Sequence, residues 1–323
     1  MKIKYLFMAT ICLAGFVIGG CDKTNDLDPD TSTDAKFKDG VLPGKFSVSS
    51  DKQVQFSQGN LQYQASTATW RFAGHQYDVL RDGNVNISPS YEGWIDLFGW
   101  GTGNNPTLAS IDGKDYATFT EWGINKISNG GNIENQWRTL EMQEWTYIFR
   151  NRANAESLFG MGSVNGVNGV ILLPDDWTTP EGLSFNASTQ NGLQWKEGHY
   201  EQEGTVFITS RYTDEGTNHF LDNTYTAKQW EKMEDAGAVL LPTGWNRFGT
   251  TANEELAPGW DFGRYWTSSP EDFHSWMPEG DHLMEDDYTK YSAYILDFTS
   301  ESELIFSMNL YRAAGISVRL VHK

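Results

Sequence analysis

Alternating apolar and polar positions dominate the chain between residues 46 and 72. Apolar side chains recur at every second residue in four short runs, and Gly59-Asn60 and Ser-Thr pairs separate them. A period of two, interrupted by turn-forming residues, is typical of short antiparallel strands with one buried face. The runs lie at 46–48, 54–56, 61–63 and 70–72. Residues 91–103 instead alternate aromatic residues with glycine, which predicts an ordered loop with little regular structure.

Two segments show helical periodicity. The first spans about 141–152, where one apolar stripe follows the spacing i, i+3, i+4 and i+7. The stripe consists of Trp145, Ile148, Phe149 and Arg152. The second segment spans about 227–236. Thr226 and Gln229 have the spacing of a capping box, and Gly237 is placed to end this helix.

A similar apolar segment follows each predicted helix. Gly169-Val-Ile-Leu-Leu-Pro174 precedes Trp177, and Gly237-Ala-Val-Leu-Leu-Pro242 precedes Trp245. Each segment has the composition of a buried strand that a proline ends. The repeat is too short to indicate a duplicated domain, so it predicts two similar strands and no more.

The last third of the chain contains two further strand patterns, at 293–298 and 315–321. An acidic, aromatic insertion at 270–290 precedes them, and we expect it to carry the ligand contacts. Its candidate ligand-binding residues are Phe273, His274, Trp276, His282 and Tyr288. Its weak candidates for holding Ca²⁺ through oxygen ligands are Asp281, Glu285, Asp286 and Asp287. Because their spacing is not that of an EF-hand loop, a solvated acidic loop is favoured and we predict no metal or other cofactor.

The first 20 residues have the pattern of a bacterial lipoprotein signal peptide. A basic start precedes an apolar run up to Ile18, which is shorter than the ~20 residues that span a membrane. Gly19-Gly20-Cys21 then resembles the lipobox, in which cleavage leaves a lipidated cysteine. We therefore predict a signal peptide at 1–20 and a fatty-acyl anchor, such as palmitate, on Cys21.

The residues after Cys21 are acidic and almost free of apolar side chains, so residues 21–45 are predicted to form a flexible tether. Residues 46–323 then form a single elaborated domain. Acidic residues directly after the lipidated cysteine resemble the surface-export signals of Bacteroidetes lipoproteins. This resemblance implies the outer face of the outer membrane, with the periplasmic face as the alternative.

Cysteine use and charge exclude several classes of protein. The two cysteines are Cys12, inside the signal peptide, and Cys21. The mature domain therefore has no thiols for an internal disulfide, a cysteine-based zinc site or a cysteine nucleophile. The formal net charge of −19 repels phosphate backbones, so nucleic acid is not an expected partner.

Several short motifs occur in a characteristic order along the chain. They are Glu144-Trp145, Ala238-Val-Leu-Leu-Pro242, Tyr265-Trp-Thr-Ser-Ser269, the strand pattern 293–298 and Gly315-Ile-Ser-Val-Arg-Leu-Val321. In this order they resemble the Fibrobacter-type major paralogous domain and the C-type-lectin-like domains of bacterial surface lipoproteins. Animal C-type lectins use calcium-binding triplets that this chain lacks, since Trp245-Asn246-Arg247 ends in arginine where an acid would stand.

The resemblance implies an α+β fold in which two helices flank small twisted antiparallel sheets, the chain ends pair and long loops form the binding surface. Tyr265-Trp266 and residues 318–320 would belong to the framework. The insertion 270–290 and a loop at 299–313 would lie at the presenting face.

These observations favour a binding or adhesion module, not an enzyme, that contacts a glycan or protein ligand and is held at the membrane by its N-terminal lipid. Two alternatives stay open. One is a hydrolase acting on envelope polysaccharide or peptidoglycan, since the many acidic residues allow a carboxylate pair. The other is a structural subunit of a fimbria or of the envelope.

Overall fold

A computed structural model of the chain describes residues 36–202, 205–208, 210–253, 261–271, 291–300 and 303–323. The predicted signal peptide, Cys21 and most of the tether lie outside these residues. The described residues belong to one compact unit. Within them, no helix combines the length and the apolar character needed to cross a membrane.

The described residues form a mixed α+β fold with two short α-helices and several small, mostly antiparallel sheets. The helices are α1 (Met142–Thr146) and α2 (Ala227–Asp235). The strands are β1 (Phe46–Ser47), β2 (Gln53–Phe56), β3 (Leu61–Gln64), β4 (Thr69–Phe72), β5 (Trp94–Ile95), β6 (Trp137–Thr139), β7 (Phe159–Val164), β8 (Val167–Leu172), β9 (Gln194–Lys196), β10 (His199–Gln202), β11 (Thr205–Ile208), β12 (Arg211–Thr213), β13 (Thr224–Tyr225), β14 (Val239–Pro242), β15 (Asn246–Phe248), β16 (Thr251–Asn253), β17 (Phe262–Glu271), β18 (Ser292–Thr299), β19 (Glu303–Tyr311), β20 (Ala314–Gly315) and β21 (Leu320–His322).

The four alternating runs near the start of the domain are strands, as predicted. β1 pairs with β2, and β3 pairs with both β4 and β5, all antiparallel. The alternation arises because successive side chains of a strand point to opposite faces, and one face here is buried. The two strand pairs belong to different sheets. The fully buried apolar residues include Phe46 and Phe56 in the first pair and Leu61 and Phe72 in the second.

The first predicted helix is shorter than expected. α1 ends at Thr146, and residues Tyr147–Asn151 form a wider π-helical turn. The predicted stripe is nevertheless buried, including the guanidinium of Arg152. That group donates to the carbonyl of Ile148 (2.7 Å), and the amide of Arg152 reaches back to the carbonyl of Tyr147. These bonds replace those that would have continued the α-helix, so the segment ends in a wide turn.

The second predicted helix begins at the predicted residue, Ala227, and ends at Asp235, one residue before the predicted end. The amide of Gln229 donates to the Thr226 hydroxyl (3.3 Å), and the Gln229 side chain accepts from the amide of Thr226 (2.9 Å). Gly237 follows the helix with a φ of 96°, which glycine adopts without strain. Trp230 and Met233 are buried on the inner face.

The two similar apolar segments pair with each other. β14 runs antiparallel to β8, with Val239 opposite Leu172 and Pro242 opposite Gly169. β7 pairs with the other edge of β8, and β13 adds to β7 in parallel. β8 and β14 are therefore neighbouring buried strands of one sheet.

The largest sheet has the strand order β17-β18-β19-β12-β9. The predicted loop at 299–313 is wrong over most of its length, because Glu303–Tyr311 is strand β19 paired with β18. Leu304 and Phe306 alternate with more exposed residues and pack in the core, which explains the strand. The predicted strand at 315–321 is interrupted and consists of the short strands β20 and β21.

The two ends of the domain pair, since β21 lies between β2 and β6. Tyr265, Trp266 and Arg319 are buried, as expected for framework residues.

Two indole N–H groups hold the irregular segment 91–103 in place. Trp100 donates to the carbonyl of Thr267 (3.0 Å), and Trp266 donates to that of Phe98 (2.7 Å).

Candidate functional site

All predicted ligand and metal candidates lie in the part of the chain that the structure does not describe. These are Phe273, His274, Trp276, His282, Tyr288, Asp281, Glu285, Asp286 and Asp287. The structure does describe both flanks of the insertion. β17 ends at Glu271 and β18 begins at Ser292, so the connection between them leaves from one end of the large sheet.

The register across three strands defines that sheet end. Glu271 lies opposite Ser292, and Ser292 lies opposite Tyr311 on β19. The Tyr311 hydroxyl accepts a hydrogen bond from the amide of Gly113 and donates one to the carbonyl of Ile111 (3.3 Å). A Cβ on Gly113 would contact Tyr291 at 2.6 Å, so this loop packs directly against the base of the insertion.

Two exposed apolar side chains lie beside this sheet end. Ile111 is 61% exposed and Phe248 is 41% exposed. The Phe248 ring lies 6.3 Å from the Tyr311 ring, and Ile111 lies against the turn at Gly249 that follows Phe248. Exposed apolar side chains that adjoin one another mark surfaces for contact with a partner. We call Ile111, Phe248, Tyr291 and Tyr311 the apolar rim.

Glu271 is the last residue of β17 and carries an ionisable side chain directly before the insertion. Its side chain is only 7% exposed and is hydrogen-bonded to Asn309 and Tyr294. Burial raises the pKa of Glu271 to about 7, although these hydrogen bonds oppose the shift. Among the described residues, no group hydrogen-bonds to one of its carboxyl oxygens, Oε2. The sheet end therefore carries a carboxyl group that changes charge near neutral pH.

Nowhere among the described residues do three or more His, Cys, Asp or Glu side chains come together as metal ligands would. The described histidines have other contacts. His219 is buried and hydrogen-bonded to Asp222 (2.7 Å) and Asp214 (3.2 Å), and His322 contacts Gln136 (3.0 Å). These contacts lie within turns and between strands of the domain.

A separate cleft of about 330 Å³ lies beside the β3–β4 hairpin. Tyr63 and Trp70 face each other across the hairpin with ring centroids 4.6 Å apart, and both line the cleft. The other lining residues include Asn104, Pro106, Ile124, Asn125, Lys126 and Glu134. The alternating pattern of the sequence predicts strands at Tyr63 and Trp70 but no role in a site. A pair of large aromatic residues across a predicted hairpin was the available signal, but the cleft's other wall comes from residues far along the chain.

Comparison with known proteins adds no relative. No protein-family model, curated protein or solved structure matches this chain.

Proposed function

We propose that this chain is a lipid-anchored surface lipoprotein with a C-type-lectin-like domain that binds a ligand at the sheet end bearing the 270–290 insertion. The apolar rim is the observation that carries this proposal. Ile111 and Phe248 are exposed beside the flank of an insertion that is itself rich in aromatic residues. Such a surface favours a partner, because exposed apolar area gains free energy when a partner covers it.

Several features support the C-type-lectin-like assignment. The chain ends pair through β2 and β21, the two helices pack beside small antiparallel sheets, and the motif residues Tyr265, Trp266 and Arg319 are buried. These features agree with the arrangement that the motif resemblance implies. In a domain of this kind the helices and sheets act as a rigid support, and the loops that connect them contact the ligand.

The rim chemistry favours a protein partner over a glycan at this sheet end. An aliphatic side chain such as Ile111 contributes through apolar contact and offers neither a flat ring nor a hydrogen bond to a sugar. Aromatic and apolar anchors at the centre of a protein interface supply most of its binding free energy. The fatty-acyl chain on Cys21 would hold the domain at the membrane.

The proposal is tested on cells and on the purified soluble domain. We expect the parent protein to bind at least one member of an array of extracellular proteins. Replacing 272–290 by a short Gly-Ser linker, or making Phe248→Ser with Ile111→Ser, should weaken that binding by at least about tenfold, roughly the effect of losing one good contact. In cells, Cys21→Ala should release the protein from the membrane fraction, whereas Cys12→Ala should not.

Leu221→Ser is the matched control, because Leu221 is also apolar and 77% exposed but belongs to the turn His219–Leu221, which contains none of the rim residues. It should leave binding unchanged. Binding that survives both the linker replacement and the rim substitutions would show that the assigned face is wrong. Release of sugar or peptide products by the purified parent would instead indicate the hydrolase alternative.

A further inference from the structure

We propose that the cleft beside the β3–β4 hairpin, here called the hairpin cleft, is a second binding site that takes one neutral saccharide unit. Its volume of about 330 Å³ lies near the lower end of the range for small-molecule sites, which is about 300–1,000 Å³. A cleft of this size accepts a small part of a ligand, such as a sugar ring, and not a folded surface.

The floor of the hairpin cleft is aromatic. Tyr63 is half-buried, whereas Trp70 is 5% exposed and packs against the rings of Tyr63 and Phe98. Trp70 therefore holds the Tyr63 ring in place, and Tyr63 supplies most of the aromatic surface at the cleft. The rings are tilted by 50° to one another. Rigid aromatic faces suit the C–H faces of a pyranose ring, because they offer apolar contact with little loss of side-chain entropy.

The rim of the hairpin cleft offers polar groups that the protein does not use. Among the described residues, neither the Tyr63 hydroxyl nor the side-chain amide of Asn104 makes a hydrogen bond with the protein. Asn125 donates to the carbonyls of Gly103 (2.7 Å) and Trp122 (3.0 Å), which fixes its amide and leaves its oxygen as an acceptor. The hydroxyl groups of a sugar both donate and accept hydrogen bonds, so they match the mixture of donors and acceptors that lines the cleft.

The charges at the cleft favour an uncharged ligand. Lys126 and Glu134 line it together, with their charged atoms 3.9 Å apart. Both side chains are about 60% exposed, and their opposite charges largely cancel at the rim. The strongly acidic chain also disfavours anionic sugars or phosphates through long-range repulsion. These groups therefore favour a neutral hexose or N-acetylhexosamine unit.

The experiment titrates the soluble domain with neutral tetrasaccharides, namely cello-, malto-, manno-, xylo- and chitotetraose, using isothermal titration calorimetry and ligand-observed NMR. We expect at least one of them to bind. Asn104→Ala should weaken that binding by about tenfold, the usual effect of losing a well-placed hydrogen bond. Tyr63→Phe should also weaken saccharide binding, because this substitution removes the hydroxyl that would bond to the sugar while keeping the aromatic ring.

Asn105→Ala is the matched control, since Asn105 is exposed like Asn104 but does not line the cleft. Both asparagine side chains are solvent-exposed, so neither substitution should affect folding, and thermal unfolding checks this. Absence of binding for every tetrasaccharide, or equal effects of Asn104→Ala and Asn105→Ala, would overturn the proposal. Replacing 272–290 by a linker should leave saccharide binding intact. Loss of saccharide binding in this variant would assign the sugar to the insertion face instead of the hairpin cleft.

Discussion

At the scale of single residues, the core contains charged side chains that the fold surrounds with polar partners. Arg319 is 1% exposed and donates to Gln76 (2.6 Å), whose amide group donates in turn to Glu234 (3.0 Å). Burial lowers the pKa of Arg319 to about 10. Asp96, which is 2% exposed, accepts from the amide of Leu80 (3.0 Å) and the side chain of Asn84 (2.7 Å). A buried charged group is costly when it loses a hydrogen-bond partner, so the stability of the fold depends on these contacts.

The burial of Asp96 predicts a pH-dependent stability. Burial raises the pKa of Asp96 from 3.8 to about 6, although its hydrogen bonds oppose the shift. The folded state thus favours the protonated form, so the contribution of Asp96 is fully present below pH 3.8 and is lost as the pH rises through about 6. Asp96→Asn should remove this dependence, which amounts to up to roughly 3 kcal/mol.

Chemical denaturation at a series of pH values between 3 and 8 measures this effect. The exposed control Asp176→Asn should keep the parent's pH profile. A parent-like decline in the free energy of unfolding in Asp96→Asn would show that another group is responsible.

At the scale of elements, the two helices differ in how their ends are determined. Both have capping boxes, formed by Glu141 with Glu144 and by Thr226 with Gln229. The end of α2 is set by the local conformation of Gly237, which follows the helix, whereas α1 gives way to a π-helical turn where Arg152 bonds to distant segments. Local sequence is therefore sufficient for α2 but not for α1.

The capping box of α2 provides the prediction at this scale. Thr226→Ala removes the oxygen that accepts from the Gln229 amide, so the free energy of unfolding should fall by about 1 kcal/mol. Thr226→Ser keeps a hydroxyl and should cost much less. Urea denaturation of the three proteins makes the comparison, and equal stabilities for Thr226→Ala and the parent would mean that water caps this helix equally well.

At the scale of the whole molecule, the final strand closes the fold. β21 is the inner strand between β2 and β6, and Leu320 and Val321 are fully buried. It joins residues from the start, the middle and the end of the domain. Without it, two strands would each lose a partner and the adjoining core would be open to water.

Removal of residues 320–323 should therefore abolish cooperative folding. The physical reason is the combined loss of the strand pairing on both sides and of two buried apolar side chains, which contribute about 1.5–3 kcal/mol each. Circular dichroism during heating and resistance to protease measure the outcome. Deletion of Lys323 alone should be tolerated because that residue is exposed. A cooperative transition in the longer truncation would show that β21 is dispensable.

The sequence by itself determined the elements whose signals are local. The alternation at 46–72, the cap and end of α2 and the two apolar strands each depend on residues only a few positions apart, so the pattern alone predicts them. It also located the insertion between β17 and β18. The loop predicted at 299–313 is wrong, because Leu304 and Phe306 alternate with more exposed residues and form strand β19.

Only the tertiary structure decided which elements meet. The pairing of β8 with β14, the position of β21 and the apolar rim join residues far apart in the chain. The hairpin cleft likewise combines Tyr63 with Asn104 and Glu134. Periodicity reports whether a side chain is buried but not which neighbour buries it, because the partner is set by packing of the whole chain.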